Sequence, residues 1–167
     1  MQSLSPAAPA AGTGAMLSTF VQPIAYASPT MAHQAFLEIR TQPRGMSNIT
    51  RQVADVVASA GIATGLAHVF VRHTSCALTI TENADPDVRR DLETLAQRWA
   101  PDGDPAYLHD LEGDDDMAAH ARSVLTDSSV TVPVGNGRLL LGTWQGIYLW
   151  EHRTHGQLRE VVVTVTG

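Results

Sequence analysis

The 167-residue sequence contains no lysine, and all eleven of its basic residues are arginines. Without lysine the chain cannot form a Schiff base or a pyridoxal phosphate linkage, and it lacks the lysine of a phosphate-binding P-loop. Acidic residues outnumber basic ones by 17 to 11, which gives a formal net charge of −6. Binding to nucleic acid through its phosphates requires a basic surface, so we expect no nucleic-acid partner.

Cysteine is nearly absent as well, since Cys76 is the single one. It cannot form an internal disulfide, which favours a reducing compartment, and we expect a cytoplasmic protein. Cys76 lies in an apolar run typical of a strand, so the favoured interpretation is a small hydrophobic residue rather than a nucleophile paired with His73. No apolar run approaches the ~20 residues of a membrane-spanning helix, so we expect no membrane partner.

Charged residues are missing from one part of the chain altogether. Residues 1–32 carry none and are rich in Ala, Pro, Ser and Gly. This composition is typical of a disordered N-terminal extension. We expect the folded domain to cover residues 33–167, which is long enough for a single domain with a hydrophobic core.

The hydrophobic periodicity of the remaining chain predicts about seven strands and about three helices. We expect strands at residues 35–40, 67–72, 76–82, 129–134, 138–141, 147–152 and 159–166, and helices at 49–60, 86–99 and 114–126. The turn sequence Gly135-Asn136-Gly137 predicts a hairpin. Strands and helices are unequally distributed along the chain, which predicts an α+β fold with a mostly antiparallel sheet.

Three histidines lie among hydroxyl and acidic residues, namely His73, His109 and His120. Three imidazoles can hold a divalent metal and leave a coordination position open, as catalytic zinc sites do. Their spacings of 36 and 11 residues exclude a local zinc-finger geometry, so the fold would have to assemble the site. Asp116 precedes His120 by one helical turn and is placed to orient its ring. The alternatives are a core histidine at position 120 and a simply exposed one at position 109.

Acidic residues are concentrated between Asp102 and Asp116, where seven carboxylates occur without any basic residue. The segment is either a solvated acidic loop or an electronegative rim that attracts a metal ion, and it does not match a calcium-binding loop. Glu82 is the last residue of a predicted strand. It is either a candidate general base or only the residue that ends this strand. Asn83 follows it, and a role in a turn would suffice to explain it.

Two further groups of residues have functional and structural interpretations. Glycines at positions 142 and 146 flank Trp144 and allow close backbone approach to a ligand, or a bulge. Trp144 is then a stacking platform, or it belongs to an interface or the core. Arg153 lies two residues after Glu151 and on the same face of a strand. It either pairs with Glu151 or holds a phosphate or carboxylate with its planar guanidinium.

Four stretches in a fixed order carry a family resemblance. They are HTSCALTITENADPDVRRDL, YLHDLEGDDDMAAH, SVTVPVGNGRLLLGTWQGIYLWEHR and REVVVTV. In this combination the chain resembles, from about Ala35 to its C-terminus, the YjbQ-like family, whose members are often labelled secondary thiamine-phosphate synthases. The family's His-Thr-Ser, His, Gly-x-x-Asp and Ala-His elements are matched by His73-Thr74-Ser75, His109, Gly113, Asp116 and His120.

The resemblance implies a two-sheet α+β sandwich that assembles as a homotrimer, with the histidines in a pocket near the subunit boundary. It also implies a transferase that joins hydroxymethylpyrimidine diphosphate to a thiazole phosphate. Metal ligands are then His73, His109 and His120, which hold a divalent metal, zinc or else magnesium. Glu82 and Arg153 are the catalytic candidates, and the candidates for binding a small phosphorylated substrate are Thr74, Ser75, Asn83, Trp144 and Gln145.

Two alternatives to the synthase stay open. Diphosphate chemistry usually uses magnesium on oxygen ligands, whereas three imidazoles favour zinc or another transition metal. Imidazole ligands with one open position suit activation of a water molecule, which favours a metal-dependent hydrolase of a phosphorylated small molecule. The second alternative is a non-enzymatic trimeric protein that binds a metal or a small molecule.

Overall fold

The computed structural model describes residues 31–167, which contain eight strands and three helices. The strands are β1 (Ala32–Arg40), β2 (Gly45–Asn48), β3 (Thr64–Val71), β4 (Cys76–Glu82), β5 (Ser129–Gly135), β6 (Arg138–Leu139), β7 (Gln145–Glu151) and β8 (Leu158–Thr166). The helices are α1 (Thr50–Ser59), α2 (Pro86–Trp99) and α3 (Asp114–Leu125). All strand pairs are antiparallel, so the predicted α+β fold with antiparallel sheets is confirmed.

The strands form two sheets, as the resemblance implied. The larger sheet has the order β1-β8-β3-β5-β6, and the smaller one has the order β2-β7-β4. In β8 every second residue is buried, including Val161, Val163 and Val165, because successive side chains of a strand point to opposite faces. These β-branched residues suit a pleated surface and turn one face of the larger sheet into the wall of the core.

Helix α1 shares this core with both sheets. It contributes Val53, Val56 and Val57, and the smaller sheet contributes Ile147 and Leu149 of β7. Fully burying such a side chain stabilises the fold by roughly 1.5–3 kcal/mol. The apolar stripe predicted for residues 49–60 is therefore the inward face of α1.

The other face of the smaller sheet is covered by α2 and α3. Trp150 of β7 is buried on this side, and its indole Nε1 donates to Glu93 of α2 at 2.7 Å. Helix α2 begins as the sequence predicted, because Asp85 accepts a hydrogen bond from the backbone of Asp87 and Pro86 occupies the first turn. Since both faces of β7 are covered, nearly all of that strand is buried.

The structure adds one strand to the predicted set and moves several strand boundaries by one to three residues. The short β2 has no apolar alternation that would reveal it, and pairing with β7 is what makes it a strand. Residues 1–30 of the predicted extension lie outside the described residues. Ala32, which was assigned to the extension, already pairs with Thr166 in the larger sheet. None of the helices within residues 31–167 is long and apolar enough to cross a membrane.

The fold brings three separate segments together at one end of β4. These segments are the turn between β3 and β4, the start of α3, and the connection between β7 and β8. Residues from all three line one cavity of about 350 Å³, which we call the histidine cavity: His73, Thr74, Ser75, Glu112, Asp116, His120, Arg153, Gln157 and Arg159.

Candidate functional site

Asp116 lies at the centre of the site, in the first turn of α3. The helix begins after Gly113, whose φ of 104° is strained for residues with a side chain. Three aspartates fill the first turn, where carboxylates are favoured by the helix dipole and by free backbone N–H groups. Asp116 is nevertheless only 2% exposed, which is unusual for a charged residue. Its position therefore depends on specific partners.

Two of those partners are histidines. His109 Nε2 lies 2.7 Å from Asp116 Oδ2, and His120 Nε2 lies 3.2 Å from the same oxygen. The two imidazole rings have centroids 5.5 Å apart. One ligand atom from each of the three residues lies within 4.8 Å of the other two. Among residues 31–167 this is the one group of three or more His, Cys, Asp or Glu side chains that could share a metal ion.

The orientation of His120 is fixed from its other side. Its Nδ1 lies 3.0 Å from the carbonyl oxygen of Thr74, which can only accept a hydrogen bond. The ring therefore carries a proton on Nδ1, and a neutral ring directs the lone pair of Nε2 towards Asp116. Metal-binding histidines are held in this way, with the second nitrogen donating to a carbonyl or carboxylate. A cation between Nε2 and Oδ2 satisfies both lone pairs.

Arg153 and Asp115 hold the carboxylate of Asp116 in place. The guanidinium of Arg153 donates to Asp116 Oδ1, to Asp115 Oδ2 at 3.1 Å, and to the carbonyl oxygen of Glu112 at 2.9 Å. Asp115 also accepts from the backbone N–H of Thr154 at 2.7 Å and from its hydroxyl at 2.9 Å. Burial raises the pKa of Asp115, but the hydrogen bonds from Thr154 and Arg153 outweigh it and leave the pKa below its usual range.

This arrangement bears on the predicted role of Arg153 as an anion clamp. Burial lowers its pKa, but the contacts with Asp115 and the charge of Asp116 dominate and raise it, so the side chain stays charged. Most of its N–H groups already bind protein oxygens. The geometry therefore gives Arg153 a positioning role, because it directs the second oxygen of Asp116 towards the two histidines.

A second buried ion pair contributes one of its members, Arg159, to the lining of the cavity. Arg159 donates from Nε and Nη2 to the two carboxylate oxygens of Glu151 at 2.8 and 2.7 Å. Glu151 is fully buried and also accepts from Thr41 and from the backbone of Arg153. Its pKa is raised by burial, but the hydrogen bonds from Arg159, Arg153 and Thr41 prevail and lower it. Glu151 thus remains charged near neutral pH.

The group of neighbouring side chains differs from the predicted ligand set. His109 and His120 meet as expected, but the third member of the cluster is Asp116, which we had expected only to orient His120. His73 lines the same cavity outside the cluster, and its Nδ1 accepts a hydrogen bond from the backbone N–H of Ser75 at 3.0 Å. Its pKa is lowered by partial burial and by the charge of Arg159. Thr74 and Ser75 line the cavity beside it.

Cys76 is a core residue, as the favoured interpretation held. It is completely buried, and burial raises the pKa of its thiol to about 12. A nucleophilic cysteine requires the thiolate form, which this pKa excludes near neutral pH. The acidic segment is also partly structural, because Asp102 pairs with Arg44 at 2.6 Å and with Arg122 at 2.9 Å.

The remaining predicted site residues lie at the opposite end of β4. Glu82, Trp144 and Gln145 line a separate open cavity of about 620 Å³, which we call the Trp144 cavity. Asn83 donates from its side chain to the carbonyl oxygens of Thr143 and Gln145 at 3.3 and 3.1 Å, which is a turn role. The seven residues of β4 span roughly 20 Å. Within one chain, Glu82 is therefore too distant to act as a base at the histidines.

Sequence reasoning missed Asp115 and Arg159. Asp115 is one of seven carboxylates in the acidic segment, and nothing local distinguishes it from the exposed ones. Arg159 carried a usable signal, because it lies two residues before Val161 on the inward face of β8. A charged residue at an inward position requires a buried partner or a ligand.

The fold and this cluster define a class: an α+β protein in which two imidazoles and one carboxylate lie close together. The family described as UPF0047 protein YjbQ-like matches residues 35–167, and the chain belongs to this family. It is 49% identical over 144 residues to a UPF0047 protein of Synechocystis sp., which covers 86% of this chain and 98% of the relative. It is 44% identical over 138 residues to the UPF0047 protein YjbQ of Salmonella typhimurium, which covers 82% and 99%.

Solved structures agree with the fold. A conserved hypothetical protein from Thermus thermophilus superposes with a TM-score of 0.69 at 40% identity, covering 77% of this chain and 97% of that one. A YbjQ-like protein of unknown function from Sulfolobus solfataricus superposes with a TM-score of 0.76 at 25% identity, covering 83% and 99%. These relatives establish the family and the fold, and the chemistry has to be argued from the site.

Proposed function

We propose that this chain is a metal-dependent enzyme that acts on a small phosphorylated substrate. The observation that carries the proposal is the meeting of His109, Asp116 and His120, with one ligand atom each, at the edge of a polar cavity. Clusters of this kind also occur as ordinary ion pairs, but here the Nδ1 contact of His120 to Thr74 fixes the tautomer that a metal ligand needs.

The ligand set favours a transition metal, most simply zinc. Two imidazoles and one carboxylate match the ligands of catalytic zinc sites, which keep a fourth position open for water or substrate. Magnesium prefers octahedral oxygen ligands and would be the weaker candidate here. When bound, a metal of this kind supplies Lewis acidity and lowers the pKa of a coordinated water. The residues of the chain then orient the substrate beside it.

Between the reaction classes, the geometry favours hydrolysis of a phosphorylated small molecule. The histidine cavity measures about 350 Å³, near the lower end of small-molecule sites, and it is lined mostly by polar residues. Thiamine-phosphate synthase-like transfer is the proposal that the family resemblance adds, and it requires room for two substrates. A non-enzymatic metal-binding role is the outcome if no substrate turns over.

The test begins with metal content. Elemental analysis of protein purified without a His tag is expected to give near one zinc or other transition metal per chain. Asp116→Asn and His120→Ala are each expected to lose most of it, because either change removes one of three ligands. His33→Ala serves as the matched control, because His33 lies on β1 in the larger sheet, outside the histidine cavity. Full metal occupancy in both site variants would contradict the proposed metal centre.

Activity is then measured with the metal-loaded wild type and the same variants. A panel of phosphate monoesters tests hydrolysis, and the formation of thiamine phosphate from its two precursors tests transfer, with zinc and magnesium varied separately. Turnover that disappears in His120→Ala and persists in His33→Ala supports an enzyme. Equal product from wild type and His120→Ala would identify contamination or uncatalysed chemistry.

We also propose that the chain is a cytoplasmic homotrimer. The oligomeric state rests on the family resemblance, and the outer face of the larger sheet offers an apolar surface through Phe36 and Phe70, both exposed in one chain. The two side chains flank Val162 across neighbouring strands. Light scattering coupled to size exclusion is expected to give three times the monomer mass, and a stable monomer at micromolar concentration would contradict it.

A further inference from the structure

The hydrogen bonds of His73 determine which ring nitrogen carries its proton. Nδ1 accepts from the backbone N–H of Ser75 at 3.0 Å, so its lone pair is occupied. A neutral imidazole has one donor and one acceptor nitrogen, and the proton must then lie on Nε2. Partial burial and the charge of Arg159 lower the pKa of His73, which favours this neutral form. In this state His73 offers an N–H donor and has no free lone pair for a metal.

Arg159 offers a second donor in the same cavity. Its side chain is almost fully buried, and two of its three nitrogens bind Glu151. The third nitrogen, Nη1, has no hydrogen-bond partner within residues 31–167, although Arg159 lines the histidine cavity. A guanidinium donor that is accessible from a cavity is available to a ligand, and planar guanidinium groups are well suited to phosphate and carboxylate oxygens.

The sheet register brings the two residues to the same end of the larger sheet. Strands β3 and β8 pair with Val71 opposite Val161, and the backbone N–H of Arg72 donates to the carbonyl oxygen of Glu160 at 3.1 Å. His73 follows two residues after the end of β3, and Arg159 lies two residues before Val161, so both residues lie at this end of the larger sheet. Both side chains line the histidine cavity, so the two donors can reach one small group within it.

The charges around the cavity indicate when such a group would bind. Arg159 is neutralised by Glu151, and Arg153 is shared between Asp115 and Asp116. The carboxylates of the chain therefore exceed its cations around the cluster, and an anion is disfavoured there. A divalent cation at the cluster reverses this balance, so anion binding is expected to be stronger in metal-loaded protein.

We propose that His73 Nε2 and Arg159 Nη1 form an oxyanion subsite that takes the phosphoryl group of the substrate beside the metal cluster. The inference rests on the proposed function for the adjacent metal, while the subsite itself consists of two side chains of this chain. It assigns His73 to substrate rather than to metal, and it gives the anion-binding role to Arg159 in place of Arg153.

The experiment titrates inorganic phosphate into metal-loaded wild type and variants by isothermal calorimetry, with metal content measured on every sample. His73→Ala is expected to weaken phosphate binding about tenfold or more at unchanged metal content, because the variant loses one hydrogen bond to a charged group. His73→Gln retains a donor nitrogen and is expected to recover part of the affinity. His33→Ala is the matched control.

Arg159→Lys tests the second donor without removing the charge that Glu151 needs. It is expected to weaken phosphate binding to a similar extent, and Arg138→Lys, at an exposed arginine of β6, is the control. If Arg159→Lys fails to fold, His73→Ala decides the question, because the His73 side chain is partly accessible and takes no part in the ion pairs. Unchanged phosphate affinity in His73→Ala overturns the subsite, and loss of metal from this variant makes His73 a ligand instead.

The outcome separates this inference from the proposed function. If the wild type holds no metal, the proposed metal centre fails, and phosphate is titrated into the metal-free protein. Binding that still depends on His73 and Arg159 then preserves the subsite on its own. Binding that is absent, or that is equal in wild type and His73→Ala, rejects it.

Discussion

The two ends of β4 carry polar residues of similar types in very different environments. At the histidine cavity, Asp116, Glu151 and Arg159 are almost fully buried, and each forms an ion pair with a neighbouring side chain. At the Trp144 cavity, Glu82 accepts one backbone hydrogen bond from Asp85, and Trp144 is 65% exposed. The sequence predicts candidate site residues at both ends of β4, but charged groups are extensively buried only at the histidine cavity.

The difference in burial distinguishes candidate site residues from residues that only end a strand. Burying a charge costs several kcal/mol unless it is paired, so a cluster of buried charges requires a complete set of partners. Glu82, Asn83 and Asp85 instead satisfy turn and cap N–H or carbonyl groups, which needs no ligand. The comparison therefore favours the histidine cavity as the place of chemistry.

The largest expected effect comes from removing the cation that the buried carboxylates share. Arg153→Met leaves Asp115 and Asp116 without their main partner, and breaking a buried pair in this way costs about 3 kcal/mol. The control at the other end is Arg90→Met, because Arg90 pairs with Asp87 on the exposed surface of α2, where such pairs contribute at most about 1 kcal/mol. Urea unfolding of both variants measures the difference. Equal losses would show that the two ends are energetically alike.

A smaller effect is expected when the partner of Arg153 is neutralised. Asp115→Asn keeps the shape of the side chain but removes a charge that holds Arg153 against Asp116. Groups that orient metal ligands typically contribute roughly 10–100-fold to metal affinity, so we expect a loss of about tenfold. Competition with a chelator of known affinity measures it. Asp110→Asn is the control, since Asp110 is an exposed carboxylate of the same acidic segment. Unchanged affinity in Asp115→Asn would reduce Asp115 to a purely structural role.

The sequence predicted the fold better than the site, for a physical reason. Periodic burial is a local signal, so β4 and the Asp85-Pro86 start of α2 were read from neighbouring residues alone. The cluster of His109, Asp116 and His120 depends on contacts between residues 7 to 46 positions apart, as in His109 with Asp116 and His120 with Thr74. His73 and Glu82 have plausible residue types, but only the fold shows that one faces the cavity outside the cluster and that the other lies at the far end of β4.

The buried His152 makes the stability of the fold depend on pH. It is completely buried beside Trp150, and burial, with the charge of Arg122, lowers its pKa from 6.5 to about 3. The unfolded chain therefore takes up the proton first, and the stability that the neutral ring contributes is lost as pH falls from 6.5 towards 3. One such group contributes a slope of up to about 1.4 kcal/mol per pH unit.

Thermal unfolding between about pH 7.5 and 5, a range that spans the ordinary histidine pKa, tests this expectation. His152→Leu removes the titrating ring while filling similar space, and its stability should fall less steeply with acid than that of the wild type. His33→Ala, which changes a partly exposed histidine of β1, should keep the wild-type slope. Parallel slopes for wild type and His152→Leu would show that His152 is not the group that titrates on unfolding.

The smallest effect is expected at the far end of β4. Glu82→Gln retains an oxygen that can accept from the backbone of Asp85, and it lies roughly 20 Å along the strand from the histidines. A general base must lie within hydrogen-bond reach of the proton it removes, directly or through one water. Metal content, phosphate affinity and turnover should therefore each change by less than about twofold, which corresponds to about 0.4 kcal/mol. A loss of turnover by about a hundredfold, or roughly 2.8 kcal/mol, with normal metal content would contradict this. Such a result would place Glu82 at the histidine cavity of a neighbouring subunit. Mixed oligomers of the Asp116→Asn and Glu82→Gln variants would then recover activity.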